Sequence, residues 1–387
     1  MKFLKSLFNK QPQLPKTDLE KRFHLLGRVG QGSMSRVWRA HDSITGKPVA
    51  LKILDTEKPQ RFESRFMGLN KPTEGQVAAS LHHRNIVRTF ECGVSTKRQQ
   101  FLVMEFINGV SLSYLVEMQN QTMRDNRLRF ILEFGDALYY FHRQNWIHRD
   151  VCPRNVLLDT GYQVKLIDFG LAVPNTPPFR KPGNRTGTVS YMAPELIKRQ
   201  PTDQRIDIFS FAASCYEMFT QQLPWDHSDV SLETVLQHIN RPPVDIRDLE
   251  PGVDDQVADA IMKGLATLPN DRWSSMEEML KPFWEARMRL EGAADGEKYR
   301  FLMEEKDREA AKDRAQVARN AASEEALARD MQPVTARRAP DGSQLAADDD
   351  EYEDVTKLAT GNEEELDLDR YFEIASGDDD DDEYEAV

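Results

Sequence analysis

The period of apolar and polar positions changes along the chain. In the first part, short apolar runs are cut by turn residues, and Phe23 to Val29, Ser35 to Ala40, Pro48 to Leu54 and Phe101 to Phe106 read as strands. Further on, apolar residues return every three or four positions over Leu128 to Gln144, Asp207 to Thr220 and Asp255 to Leu268, which predicts helices. One earlier helix is expected from Glu74 to about Leu81. Strands followed by helices predict an α+β fold of two lobes, a small β-rich one and a larger helical one, with a cleft between them.

The globular pattern holds over residues 21–287, with the division between lobes at about 104–108. Residues 1–20 form a short basic segment broken by Pro12 and Pro15. Residues 288–332 are rich in Ala, Glu, Lys and Arg and read as a charged helical extension; Met303, Ala310 and Val317 fall seven apart, fewer heptads than a coiled-coil seam uses. Residues 333–387 have the composition of an acidic disordered tail, with five successive aspartates at Asp378 to Asp382.

Charge sharpens this division. The chain of 387 residues has a net charge of −13, but residues 341–387 hold 20 acidic groups against Lys357 and Arg370, a charge of −18. The remainder is therefore mildly basic, at +5. The tail reads as a solubilising appendage or as a segment that contacts the globular body or a basic partner; no nucleic-acid partner is expected. Three dispersed cysteines, Cys92, Cys152 and Cys215, build neither a disulfide framework nor a zinc spacing. No apolar run is long enough to span a bilayer, and Met1 to Lys10 lacks the apolar stretch of a secretory signal, so a cytoplasmic protein is expected. Residues 1–10 do place Phe3, Leu4, Leu7 and Phe8 among lysines, which suits contact with an anionic membrane surface or a disordered start.

Three clusters carry chemistry. Gly30-Gln31-Gly32-Ser33-Met34-Ser35-Arg36-Val37 lies between two strand-like runs. Its glycines allow backbone amides to approach phosphate oxygens, although a plain glycine-rich hairpin explains it as well. No helix follows, which excludes a dinucleotide-binding turn. Lys52, in Val49-Ala50-Leu51-Lys52-Ile53, is costly on a buried strand unless its ammonium meets anions, and Glu74 is the candidate partner. The third cluster is His148-Arg149-Asp150-Val151-Cys152-Pro153-Arg154-Asn155, followed by Asp168-Phe169-Gly170. Two aspartates and an amide oxygen suit hard cations such as magnesium, with Asp150 left to face an acceptor hydroxyl.

Together these segments resemble the eukaryotic-like (Hanks-type) protein kinase family, serine/threonine branch, over residues 21–287. Gly187-Thr188-Val189-Ser190-Tyr191-Met192-Ala193-Pro194-Glu195 resembles the end of a kinase activation segment. Asp207 to Phe211 resembles the buried central helix of the large lobe, and Arg272 the arginine that pairs with Glu195. The resemblance implies transfer of the ATP γ-phosphate, with Mg2+, to hydroxyls of a protein substrate. It assigns Lys52 to the α and β phosphates and to Glu74, Asp150 to the acceptor proton, and Asn155 and Asp168 to magnesium. The loop with Gly30, Gln31, Gly32 and Ser33 would cover the phosphates. Val37, Ala50 and Leu157 would sandwich the adenine, and Met104, Glu105 and Ile107 would form the hinge. Arg149 before the catalytic aspartate implies activation-segment phosphorylation, with Thr186 as the candidate site.

Two departures qualify that reading. Ser35 stands where the third loop glycine belongs, and Cys152 where serine/threonine kinases carry a lysine for the γ-phosphate. A neutral thiol cannot supply that charge, which leaves open a pseudokinase scaffold, compensation by Arg154, or a tyrosine kinase. A redox role for Cys152 competes with a small side chain that simply fits. The complete activation segment argues against a small-molecule kinase.

Overall fold

The computed structural model describes residues 16–32, 35–54, 69, 71–182, 186–225 and 232–291. Ser33, the membrane-contact segment 1–10 and the acidic tail lie outside the described residues, as does all of the charged extension beyond 291. The architecture is α+β, as expected, with a β-rich first part and a helical remainder.

A short helix, α1 (Leu19–Arg22), leads into β1 (Phe23–Gly32), β2 (Ser35–Asp42) and β3 (Lys47–Leu54). Helix α2 (Glu74–Ser80) and strands β4 (Thr89–Val94) and β5 (Gln100–Glu105) complete an antiparallel five-stranded sheet of order β1-β2-β3-β5-β4. Side chains alternate between the two faces of each strand. In β3, Leu51 stands opposite Trp38 and Val103, whereas Lys52 stands opposite Val37 and Leu102. The first set belongs to the face where Phe23, Ala40, Val49, Leu51, Phe101 and Val103 form a buried apolar cluster. The second set faces the other way, which is how a lysine and a core leucine can be neighbours in sequence.

The helical part contains β6 (Gly109–Ser111), α3 (Leu112–Met118), α4 (Gln121–Arg143), β7 (Trp146–Ile147), β8 (Val156–Asp159), β9 (Val164–Leu166) and β10 (Val173–Pro174). It continues through α5 (Pro194–Ile197), α6 (Arg205–Thr220), α7 (Leu232–Asn240), α8 (Ile246–Leu249), α9 (Asp255–Gly264) and α10 (Met276–Glu291). Helix α6 is apolar around most of its circumference and is buried from Ile206 through Tyr216, as a central core helix must be. Its two serines are satisfied internally: Ser210 donates to the Ile206 carbonyl at 3.0 Å, and Ser214 to that of Ser210 at 2.8 Å. Helix α4 begins seven residues before the apolar repeat at Leu128, because its polar first turns are nucleated by a cap: Asn120 accepts from the Met123 amide at 3.0 Å. Helix α9 stops at Gly264, short of Leu268, where the carbonyls of Ala266 and Thr267 turn to the Arg272 guanidinium at 2.7 and 3.0 Å.

Candidate active site

Strand β3 and helix α2 build the first half of the site. The Lys52 ammonium donates to Glu74 Oε1 at 2.7 Å and to Asp168 Oδ1 at 2.9 Å. Burial disfavours the ammonium, but Asp168 and Glu74 outweigh it and lift the Lys52 pKa above the usual lysine range. Burial likewise pushes Glu74 up, only partly opposed by Lys52. For Asp168, burial is overcome by Lys52 and by the Gly170 amide, which donates at 3.1 Å, so its carboxyl lies below the usual range. Glu74 sits on the first residue of a two-turn helix held by a capping box: Thr73 accepts from the Gln76 amide at 3.3 Å, and Gln76 accepts from the Thr73 amide at 2.8 Å. One ammonium against two carboxylates leaves this cluster net negative.

The second half is the loop His148–Asn155, hung from the central helix by Asp207. That fully buried carboxylate accepts from the His148 amide at 2.7 Å and the Arg149 amide at 2.8 Å, with the His142 ring at 2.8 Å. Arg149 and Asp168 both adopt left-handed backbone conformations, with φ of 71° and 64°. Such geometry in non-glycine residues costs roughly 1–3 kcal/mol each and survives only where surroundings over-determine it. Here they do. The Ile167 amide donates to the Asn155 carbonyl at 2.9 Å, tying the loop to the Asp168 turn. Phe169 stacks on Phe141 with ring centres 5.7 Å apart and meets His148 edge-on at 5.7 Å. Burial keeps the His148 pKa low, and its Nδ1 accepts from the Asp150 amide at 3.3 Å.

Asp150 is positioned by neutral donors. Its Oδ1 accepts from the Thr188 amide at 2.7 Å and the Thr188 hydroxyl at 2.8 Å, and its Oδ2 from the Asn155 side-chain amide at 2.9 Å. Gly187 makes this close approach possible: its φ is +112°, and a Cβ there would lie 2.5 Å from the Arg149 carbonyl oxygen. Just upstream, the buried Thr186 hydroxyl accepts from Arg149 Nη2 at 2.7 Å. Downstream, Glu195 and Arg272 form a buried bidentate pair with both contacts at 2.7 Å. The activation segment is thus pinned on both sides of Asp150.

Cys152 is buried beneath Thr188, with its sulfur 3.7 Å from the Thr188 hydroxyl. Burial, reinforced by Asp150, pushes its thiol up to about 11. An inert neutral thiol accords with a small residue that fits and gives no support to the redox reading. Arg154 is exposed, and no described residue pairs with it.

Of the remaining nucleotide-site candidates, Val37, Ala50 and Met104 share the face of the sheet that carries Lys52. Ala50 is buried opposite Met104, and Val37 is half-buried opposite Lys52. Leu157 lies on β8, paired with Ser111 and Lys165. The Glu105 side chain turns aside to accept from Lys165 at 3.0 Å and from the Arg88 amide at 2.9 Å, and its own amide donates to the Arg88 carbonyl at 2.9 Å. No described residue bonds the Ile107 amide. Gly30 pairs with Val37 and Gly32 with Ser35, making the glycine-rich segment a hairpin. The sequence reading missed two residues: Lys165 as the anchor of Glu105, and Thr188 as the main partner of Asp150.

The donor set fits magnesium. The Asn155 side-chain amide donates only through nitrogen, so its oxygen remains available, and Asp168 Oδ2 takes no hydrogen bond from a described residue. Among the described residues no cluster of three or more His, Cys, Asp or Glu side chains could cage a metal alone. Magnesium often keeps one or two protein oxygens and takes the rest from phosphates and water, which is the arrangement these residues allow.

Comparison with known families matches residues 23–284 to the protein kinase domain. The chain is similar to serine/threonine-protein kinase PksC of Streptomyces coelicolor (32% identity over 67% of this chain and 48% of that protein). It also resembles the DNA damage-responsive serine/threonine-protein kinase RqkA of Deinococcus radiodurans (31% identity, 66% and 38%) and serine/threonine-protein kinase PrkC of Bacillus subtilis (27% identity, 67% and 39%). The similarity spans less than half the length of these curated relatives. By the extent of the family match and the site it encloses, the chain belongs to the protein kinase family.

Proposed function

We propose that the protein is an ATP- and magnesium-dependent serine/threonine kinase that phosphorylates protein hydroxyls. The observation that carries this reading is the assembled state of both halves of the site. Lys52 holds Glu74 and Asp168 at once, while Asp150 is aimed by Thr188 and Asn155. Lys52 would orient the α and β phosphates. Asp150 Oδ2, with one partner to Oδ1's two, would accept the proton as the hydroxyl oxygen bonds to the γ-phosphorus and ADP leaves. Bound magnesium, held by Asn155 and Asp168, would neutralise phosphate charge. The relatives' names and the Thr188 contact support serine or threonine as acceptor.

Cys152 makes the site one positive charge poorer than the pattern of the family it resembles, and the exposed Arg154, two residues on, is the candidate substitute. Arg154→Ala is therefore expected to slow transfer. Thr186 remains the candidate phosphosite: its hydroxyl already engages Arg149, and a phosphate would make that contact charge-assisted. Active protein with no phosphate between Asp168 and Glu195 by mass spectrometry would retire that site. The domain limits proposed are 21–287 for the catalytic domain, followed by the charged extension and tail.

The deciding test is transfer of labelled γ-phosphate with magnesium, alongside Asp150→Asn. Label on serine or threonine that falls by about 10²- to 10⁴-fold in the variant is the expected result. Equal labelling by both proteins, or nucleotide binding without any transfer, would overturn it.

A further inference from the structure

The face of the five-stranded sheet turned away from Lys52 is incompletely covered. Helix α1 lays Leu19 over part of its apolar cluster. Beside it a cavity of about 340 Å³ remains, walled by Leu19, Phe23, Leu25, Leu51 and Ile53, with Asp18, Glu20 and Lys97 at its edge. That volume falls within the roughly 300–1,000 Å³ of sites that take up ligands or side chains. Leu25 is 44% exposed there, although it stands opposite the buried Ala40.

We propose that this cavity is the docking site of the chain's own residues 1–8, with Phe3, Leu4, Leu7 and Phe8 seated in it. The tether argues for this occupant. Thr17 is fixed beside the cavity, donating to the Val94 carbonyl at 3.1 Å and accepting from the Thr96 amide at 2.9 Å. The next residues, Asp18 to Glu20, line the cavity itself, so the preceding chain enters at its edge. Phe8 lies ten residues before Asp18, a reach of at most about 33–36 Å, and so short a link gives an effective concentration of about millimolar. The pattern argues for it as well. Were the segment helical, positions 3, 4, 7 and 8 would share one stripe, with Lys2 and Lys5 to its sides. Charge agrees: the acidic edge residues Asp18 and Glu20 form exposed ion pairs with Lys21 and Lys97, which exchange readily, although Asp18 also caps α1 by accepting from the Lys21 amide at 3.3 Å.

Docking would brace β3 from behind, because Leu51 and Ile53 flank Lys52 and point into the cavity while Lys52 points into the cleft. This consequence rests on the kinase reading; the docking itself does not.

The test uses the full chain with Phe8 replaced by p-benzoylphenylalanine, irradiated and mapped by mass spectrometry. Crosslinks within the monomer to peptides containing Leu25, Ile53 or Gln99 (the last also lining the cavity), unchanged on dilution, are expected. Crosslinks only to other segments, only between copies, or none without phosphatidylserine vesicles would overturn the proposal, the last in favour of a membrane surface. A melting cycle provides the second measurement. Phe3→Ala with Phe8→Ala, and separately Leu25→Glu, should each lower Tm by about 2–4 °C, and their combination should add nothing. Additive losses would overturn it. The Phe3/Phe8 variant should also transfer phosphate several-fold more slowly; if crosslinks form while no protein transfers phosphate, the kinase reading falls and the docking stands.

Discussion

Lys52 and Asp150 are held in opposite ways. Lys52 is fixed by charge, between one carboxylate on a short helix and another on the Asp168 turn. Asp150 is fixed by neutral groups, a threonine and an asparagine, on a loop suspended from a buried helix. An ion-paired element fails when its partners part, because the charges left behind are buried. A neutral cradle loses function by degrees, one hydrogen bond at a time. Phosphoryl transfer needs both: a charged anchor for an anionic substrate and a base whose direction survives small movements.

Removing the charged anchor should have the largest effect on this comparison. Lys52→Met is expected to lower transfer by about 100-fold or more, as loss of a group that stabilises the transferring phosphoryl does. It should also leave a pH signature. Burial raises the Glu74 pKa even beside Lys52, so without the lysine the folded state favours the protonated acid still more. Stability from such a group is present at low pH and lost as pH rises past the ordinary glutamate value of 4.5. Thermal melts of Lys52→Met should therefore lose stability, relative to the unchanged protein, from pH 4.5 towards neutrality. A constant offset between the two across that range would show that Glu74 is not held by Lys52 in solution.

Trimming the neutral cradle comes next. Thr188→Val removes the hydroxyl donor to Asp150 and keeps the amide donor. A hydrogen bond to a charged group is worth about 1.5–3 kcal/mol, so kcat should fall roughly ten- to hundredfold with KM for ATP little changed. A rise in KM with kcat preserved would place Thr188 in substrate binding instead.

How much of this was legible beforehand follows the same division. Lys52 and Glu74 could be paired from sequence because a lysine on an apolar strand demands an anion. Asp150, Asn155 and Asp168 were legible through their ordered spacing. Thr188 was legible as part of the activation-segment end, but not as the principal partner of Asp150, since that contact depends on Gly187 meeting the Arg149 carbonyl across 38 positions of chain. The early start of α4 was hidden by polar first turns, and its cap, Asn120, carries no apolar period. The cavity beside α1 could not be read at all: it is the space left between Leu19, Leu25 and Ile53, and no local pattern encodes a gap.

Cys152 gives the smallest expected effect and the sharpest contrast. Its position belongs to the charged machinery in related kinases, yet here it is a buried neutral group packed against Thr188, on the neutral side of the comparison. Cys152→Ser should leave transfer within about twofold, because a hydroxyl can meet the Thr188 oxygen as the thiol does and no charge is lost. With its pKa pushed up to about 11, the thiol is protonated at neutral pH. Iodoacetamide at pH 7.5 should therefore label the half-buried Cys92 before Cys152 and leave activity intact; Cys152 should become reactive only as pH rises towards 11. Inactivation at neutral pH that tracks labelling of Cys152, and that Cys152→Ser abolishes, would show that this residue is reached by solvent during turnover. Asp150 would then sit in a cradle that opens, and the distinction between its neutral hold and the ionic hold on Lys52 would lapse.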